Sequence, residues 1–218
     1  MTGQMLAMAL LLTGSASQTL DRYGDQTGRV MTAVSIDGRF RAEVRTMEPV
    51  SCDKNGQGST DNGVHTLSII DTKTGEDVAG FVGAVITGKP FQALVGFASP
   101  KFSPDASNVY IVMRTTECET GTWYDAPHVY RVDLRTPGRT RYLRAAYFVA
   151  TGRLIGIIRN GPNTGSLLIQ QRAGEQEQGD PVVLFAPDGK RILTVPDSER
   201  IGAAAITPWL RAKGWASY

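Results

Sequence analysis

The sequence predicts an all-β protein built from antiparallel, four-stranded meander repeats, with a small or incomplete propeller-like architecture. Three observations carry that reading. A pair of turn signals recurs, as Val34-Ser35-Ile36-Asp37-Gly38 with Ile70-Asp71-Thr72-Lys73-Thr74-Gly75, then as Phe102-Ser103-Pro104-Asp105-Ala106 with Val132-Asp133-Leu134-Arg135-Thr136-Pro137-Gly138. The first signal returns in part as Phe185-Ala186-Pro187-Asp188-Gly189-Lys190. Between the turns lie short apolar runs, and no long segment keeps a 3.6-residue period. Units of this kind bury their faces only against neighbouring units.

The first unit, 28–90, opens with strands over 29–34 and 39–45 around Asp37-Gly38, a hairpin signal because glycine accepts positive φ at no steric cost. A polar loop over 47–63 precedes a strand over 64–70, which ends in the turn at Asp71. Residues 78–87 are small and apolar and are expected to give two short strands, and 89–97 leads into the second unit, 91–143. There 100–102, 109–114 and 128–133 are the expected strands, with a long loop over 115–127. The third unit, 144–197, is expected to hold strands over 154–158, 166–171, 181–185 and 191–195. The tail, 198–218, is expected to open with a short helix through 201–206, ended by Pro208. Its aromatics Trp209, Trp215 and Tyr218 either cap a sheet edge or meet a partner.

Length and charge narrow the function classes. A chain of 218 residues, 41% hydrophobic and 20% charged, makes one domain with a real core. Its 23 basic and 21 acidic residues are interspersed, without the basic block of a nucleic-acid binder, so no nucleic acid is expected. The densest basic cluster, Arg135, Arg139, Arg141 and Arg144, reads as a solvated strand edge and turn. Met5 to Leu12 form an apolar run followed by Thr13-Gly14-Ser15-Ala16-Ser17, the order of a secretory signal over 1–17 cleaved after Ala16 or Ser17. No Lys or Arg precedes the run, and a buried N-terminal helix is the rival reading. The run is far shorter than the roughly 20 residues that span a bilayer, so no permanent membrane span is expected. A periplasmic or secreted location follows.

Cys52 and Cys118 lie in polar stretches, each after the strand that opens its repeat. In an exported protein the pair reads as a disulfide, worth roughly 4 kcal/mol for so long a loop. Free thiols and a metal pair are the alternatives. With no CxxC and two histidines, no metal and no cofactor is expected. His65 stands six residues before Asp71 and His128 five before Asp133, an offset that puts them on opposite faces.

Candidate binding residues are Glu117, Glu119, Trp123, Tyr124 and Asp125. Aromatics beside acids stack on a sugar ring and bond its hydroxyls, or mark a protein interface; a tethered loop folded over its own unit fits the same residues. The enzymatic alternative uses Glu117, Glu119 or Asp125 as acid or base on an envelope polysaccharide or peptide, but sequence spacing does not set a carboxylate separation. Asp37, Asp105 and Asp188 read as structural, since Asp in a tight turn accepts from nearby backbone N–H groups. There is no GxSxG elbow, and Asn160 to Gly165 is a turn without the helix and lysine that cradle phosphate.

Phe102-Ser103-Pro104-Asp105, followed by Val109-Tyr110-Ile111-Val112 and then His128-Val129-Tyr130-Arg131-Val132-Asp133-Leu134, resembles the WD40-like repeats of TolB-type β-propellers. Residues 98–196 further resemble a group of exported bacterial proteins with SPDG and DPDGK repeats. The likeness covers a little under half of the chain well. Ala106 departs from the usual turn glycine, and Pro137 interrupts the Thr-Gly turn. The resemblance implies a fold that serves binding, scaffolding and catalysis alike. Three units fall short of a closed propeller. Either 78–97 and the termini build a degenerate fourth blade, or the array stays open. The resulting expectation is a non-enzymatic, extracytoplasmic binding or scaffolding module that takes a protein or an envelope glycan through 47–63 and 115–127. A hydrolase, and a homo-oligomer that completes a propeller between copies, are the alternatives.

Overall fold

The computed structural model describes residues 30–45, 51–52, 58–59, 65–83, 85–86, 92–97, 100–119, 122–135, 147–171 and 180–218, with side chains described outside 51–65, 80–99 and 114–126. The leader 1–17 and Arg139, Arg141 and Arg144 lie outside the described residues. Three antiparallel sheets follow one another along the chain. The first holds β1 (Val30–Val34), β2 (Phe40–Arg45), β5 (His65–Asp71) and β6 (Asp77–Gly83), in that order. A ribbon of β3 (Ser51–Cys52) and β4 (Gly58–Ser59) stands between β2 and β5 in the chain.

The second sheet runs through β7 (Val85–Ile86), β8 (Gln92–Phe97), β10 (Asn108–Glu119), β11 (Thr122–Asp133) and β12 (Tyr147–Thr151), with β9 (Lys101–Phe102) also paired to β10. The third is β13 (Arg153–Ile157), β14 (Leu167–Gln170), β15 (Val182–Phe185) and β16 (Arg191–Thr194). Spatial order follows chain order in each, so all three are meanders. The fold is all-β and propeller-like, and its stack is short of a closed ring.

The turns explain why the repeats fold alike. Ser35 Oγ donates to Asp37 Oδ1 at 2.6 Å, and Ser103 Oγ donates to Asp105 Oδ1 at the same distance. In each turn the Asp then accepts from the backbone N–H two residues on, at 3.1 Å from Arg39, 3.1 Å from Ser107 and, in the third sheet, 3.0 Å from Lys190. Each unit's second turn is tied to its first: Thr72 N–H donates to Arg39 O, and Leu134 N–H donates to Ser107 O, both at 2.8 Å. Asp37, Asp105 and Asp188 therefore hold turns together, as their place in the sequence leads one to expect. The third sheet uses the turn differently. It joins the last two strands there, whereas in the first sheet it joins the first two.

Alternation along the strands builds the core in layers. Val109, Ile111 and Met113 of β10 pack with Phe40, Val44 and Ile69 of the first sheet. Tyr110 and Val112, on the other face, pack with Ile157, Leu167 and Val183 of the third. The far face of the third sheet, with Leu168 and Leu184, is covered by Ile206, Trp209 and Leu210. The far face of the first sheet carries the Arg41–Glu43 ion pair at 2.8 Å and exposed Thr32. That face also exposes Val30 and Val34, so one end of the stack is of mixed polarity while the other is capped by helix.

Four expectations need correction. The stretch 115–127 is not a loop: it forms the outer halves of the two twelve-residue strands β10 and β11. Thr115, Thr116, Thr122, Trp123 and Tyr124 are strand formers whose signal is masked by interspersed acids. The 47–63 loop contains the β3–β4 ribbon. Residues 78–97 build no fourth blade, because β6 joins the first sheet while β7 and β8 join the second. Pro208 does not end a helix. After α1 (Ser198–Ile201) and a 3₁₀ turn, it sits in the first turn of α2 (Ile206–Lys213), where its missing N–H would have no helical acceptor anyway.

Besides β8, the strand β12 is absent from the sequence reading, although its Tyr147, Phe148, Val149 and Thr151 have high strand propensity. It pairs with β11 and so closes the second sheet. The aromatic tail caps an edge. Ile157 N–H donates to Tyr218 O at 3.0 Å and Arg159 N–H to Ala216 O at 2.8 Å, adding 216–218 along β13. Trp209 and Trp215 meet edge to face at 5.4 Å.

Candidate functional site

A cleft of about 290 Å³ opens between the second and third sheets at their turn-bearing ends. Its walls come from the Ser103–Asn108 turn, from Tyr110 and Arg131 on facing strands, and from Thr164, Gly165 and Pro187 of the third sheet. Register brings Tyr110 and Arg131 of this lining together and sets Lys101 and Tyr147 beside them, outside it. Tyr110 lies opposite Lys101 on β9 and opposite Arg131 on β11, and Arg131 lies opposite Tyr147 on β12. Directly opposed residues share a face. The row Lys101, Tyr110, Arg131, Tyr147 therefore crosses four strands on the face turned to the third sheet.

Arg131 spans the seam. Its Nη1 donates to Pro187 O at 2.9 Å, and its guanidinium carbon lies 5.1 Å from the Tyr147 ring centre. Among the described residues, two buried polar side-chain atoms are left without a protein partner: Arg131 Nε and the hydroxyl of Tyr110, whose side chain is 0% exposed. Such groups are rare in native proteins, because each costs roughly 1–3 kcal/mol when nothing replaces water. Both belong to residues that line the cleft.

Burial and hydrogen bonds shift three ionisable groups around them. Burial pushes Tyr110 up to about 12, against a smaller opposing effect of the Arg131 charge. Burial also acts to raise Asp105, but hydrogen bonds from Ser103 and Ser107 outweigh it and hold the carboxyl below its ordinary 3.8. Ser107 Oγ donates to that carboxylate at 2.8 Å and accepts from Arg135 Nη2 at 3.0 Å. Asp133 Oδ1 accepts from Arg135 N–H at 2.8 Å, with Arg135 Nε 3.9 Å away. Burial lowers Lys101 from its ordinary 10.5.

The residues singled out by sequence lie elsewhere. In the β10–β11 register Glu117 is opposite Tyr124, Cys118 opposite Trp123, Thr116 opposite Asp125, and Glu119 opposite Thr122. They share the closed end of one hairpin. Tyr110 is seven residues from Glu117 along β10, roughly 24 Å of strand, so that end and the cleft are well separated. Cys52 sits in β3. The side chains of Cys52, Cys118 and all five candidate binding residues lie outside the described residues.

Tyr110 and Arg131 escape the sequence reading, although a signal for them exists. Counting from the turn aspartates, their counterparts in the first unit are Ala42 and Ile69, also register partners and both 0% exposed. A phenol and a guanidinium replace two core residues at equivalent places. No family model and no curated protein matches the sequence.

Proposed function

We propose that the protein is a non-catalytic binding module of TolB-like repeat type, working outside the cytoplasm, whose ligand sits in the cleft between the second and third sheets. The observation that carries this is the pair of unpartnered buried groups, Tyr110 Oη and Arg131 Nε, lining a polar cleft. Both residues line the cleft, and a bound molecule that draws the two groups into it supplies the acceptor they lack. Supporting the non-catalytic part, Tyr110 is protonated and Asp105 ionised and engaged at neutral pH. General acid–base work needs a group poised near the working pH. The likeness to TolB-type repeats and the apolar leader support the lineage and the export.

A screen of small polar molecules by thermal shift tests the reading, with Thr164→Trp as a wall variant that fills the cleft. Stabilising molecules whose effect disappears in Thr164→Trp are expected. Stabilisation that survives the variant, or a screen without hits, overturns it. Export is checked separately by intact mass from the native host, where loss of 16 or 17 residues is expected.

A further inference from the structure

We infer that the free edge of β1 is a self-association surface, through which two copies pair antiparallel about Thr32 and join their first sheets into one. The argument starts from register. Ser35 N–H donates to Phe40 O at 2.8 Å, so 35 and 40 are a hydrogen-bonded pair of the β1–β2 ladder. Such pairs alternate along an antiparallel ladder. Met31, opposite Val44, and Ala33, opposite Ala42, therefore bond to β2, while Val30, Thr32 and Val34 turn their N–H and C=O groups outward. No strand among the described residues pairs with that edge. The same three residues carry exposed side chains, Val30 at 47% and Val34 at 58%.

Three other sheet edges are guarded. Residues 216–218 cover β13. The turn at Gly189 lies against β12, where a Cβ on that glycine would fall 2.9 Å from Val149 O. The strand β16 carries exposed Arg191 beside a register shift. Covering segments, charges and bulges are what keep an edge from pairing. The strand β1, Val-Met-Thr-Ala-Val, has none of them: it is uncharged, free of proline and in unbroken register with β2.

A second copy fits this edge because the strand is its own complement. Pairing about Thr32 sets Thr32 against Thr32 and each Val30 against the other copy's Val34, so that all three outward-facing residues bond at once. Any other register leaves Val30 or Val34 without a partner in the strand. Valine then meets valine as a cross-strand pair on the exposed face. No like charges are brought together, since the Arg41–Glu43 pair stands one strand back in each copy. The two charged rows end roughly 14 Å apart, three strand spacings, beyond the screening length of about 8 Å at physiological salt. A contact of this symmetry closes on itself, so association stops at the dimer. No β1 residue lines the cleft, so the pair presents two open clefts. The contact is small and belongs with weak, exchanging interfaces.

Sedimentation equilibrium of the 218-residue chain is expected to show monomer and dimer exchanging in the micromolar range. Thr32→Lys opposes two lysines at the dyad and is expected to weaken the dimer at least tenfold. Two double variants test the register. Val30→Lys with Val34→Lys opposes like charges across the dyad and is expected to weaken the dimer as much. Val30→Lys with Val34→Glu opposes unlike charges and is expected to stay within about threefold of the parent. Thermal midpoints check that the variants fold. Amide exchange of the parent gives a second reading that needs no variant. Val30, Thr32 and Val34 are expected to exchange more slowly as concentration rises, while Met31 and Ala33 are protected throughout.

A chain that stays monomeric at high concentration overturns the proposal. So does a dimer indifferent to Thr32→Lys, or one that treats the two double variants alike, because the contact then lies elsewhere or in another register. Equal protection of Val30, Thr32 and Val34 at every concentration means that the same chain covers this edge, and the proposal falls. None of these results touches the cleft, so the binding reading stands or falls separately.

Discussion

Ala106 and Gly38 occupy the same place in equivalent turns, and both hold left-handed backbone, with φ of 53° and 72°. In each the N–H returns to the serine three residues earlier, at 3.0 Å to Ser103 O and 2.8 Å to Ser35 O. An L-residue there costs about 1–2 kcal/mol that glycine does not.

The strain can be measured by exchanging the two residue types. Ala106→Gly is expected to stabilise the protein by about 0.5 kcal/mol, the relief being offset by lost methyl burial and a freer unfolded chain. Gly38→Ala, with open space around its Cβ, is expected to cost about 1 kcal/mol. Gly152→Ala should cost more, roughly 3 kcal/mol, because its Cβ falls 2.5 Å from Gln170 O at φ 139°. Urea denaturation of the three variants checks the order, and a destabilised Ala106→Gly would contradict it.

Tyr110 gives a prediction about stability that separates it from an ordinary core residue. Its hydroxyl is buried without a protein partner, so Tyr110→Phe removes a desolvated group and keeps the ring. At neutral pH the variant is expected to be as stable as the parent, or more stable by up to about 1 kcal/mol. The alkaline limb should change too. The folded phenol, at about 12, stays protonated where the unfolded one, at 10.0, ionises. The folded state therefore binds more protons between those values, and stability falls as pH rises from 10 towards 12. Tyr110→Phe is expected to flatten that fall in part, since burial also raises Tyr130 and Tyr218. Urea midpoints at pH 9 and pH 11 test it, and an unchanged slope rules out the assignment.

What was legible in the sequence follows from the same physics. The turns were legible because Ser-x-Asp with a following glycine or alanine closes on itself, using bonds between residues two to five apart. Most inner strands were legible because their apolar runs are continuous, as in Leu167–Gln170 and Val182–Phe185. The outer hairpin over 115–127 was hidden, since its strand formers alternate with acids and a lone thiol. The cleft was hidden for a different reason. Tyr110 and Arg131 lie 21 residues apart in the chain and meet only through register. Pro187 joins them from another sheet. Even so, the substitution of Ala42 and Ile69 by Tyr110 and Arg131 between repeats was there to be read.

Acid stability should report on the turns. Hydrogen bonds from Ser35 and from the Arg39 N–H lower Asp37, the Lys73 N–H lowers Asp71, and Ser103 and Ser107 lower Asp105 against its burial. Each folded pKa lies below the ordinary 3.8. The stabilisation is therefore complete above that value and lost as pH falls through the lower folded values, where the unfolded chain binds more protons. Asp105→Asn is expected to lower stability at pH 7 and to make the acid limb shallower. A variant that loses stability equally at pH 7 and pH 2.5 would show that Asp105 acts through shape and not through charge.

The last prediction concerns Asn160, which holds the chain's final segment in place. Its Nδ2 donates to Gly214 O at 3.2 Å, while its Oδ1 accepts from Ala216 N–H at 2.6 Å. Beyond that clamp Tyr218 hydroxyl donates to Phe102 O at 2.8 Å, so the strand along β13 also ties the third sheet to the second beside the cleft. Asn160→Ala removes both clamp bonds at an exposed site, a loss of about 1 kcal/mol. The larger effect should be local. Amides of Ile157 and Arg159, which donate to 216–218, are expected to exchange with solvent at least tenfold faster, while those of β14 and β15 keep their protection. Freed of its cover, the β13 edge also becomes available for pairing with a second chain, so light scattering at rising concentration should show self-association in the variant before the parent. Uniformly faster exchange across all three sheets would instead mean that the clamp supports the whole fold and not this edge.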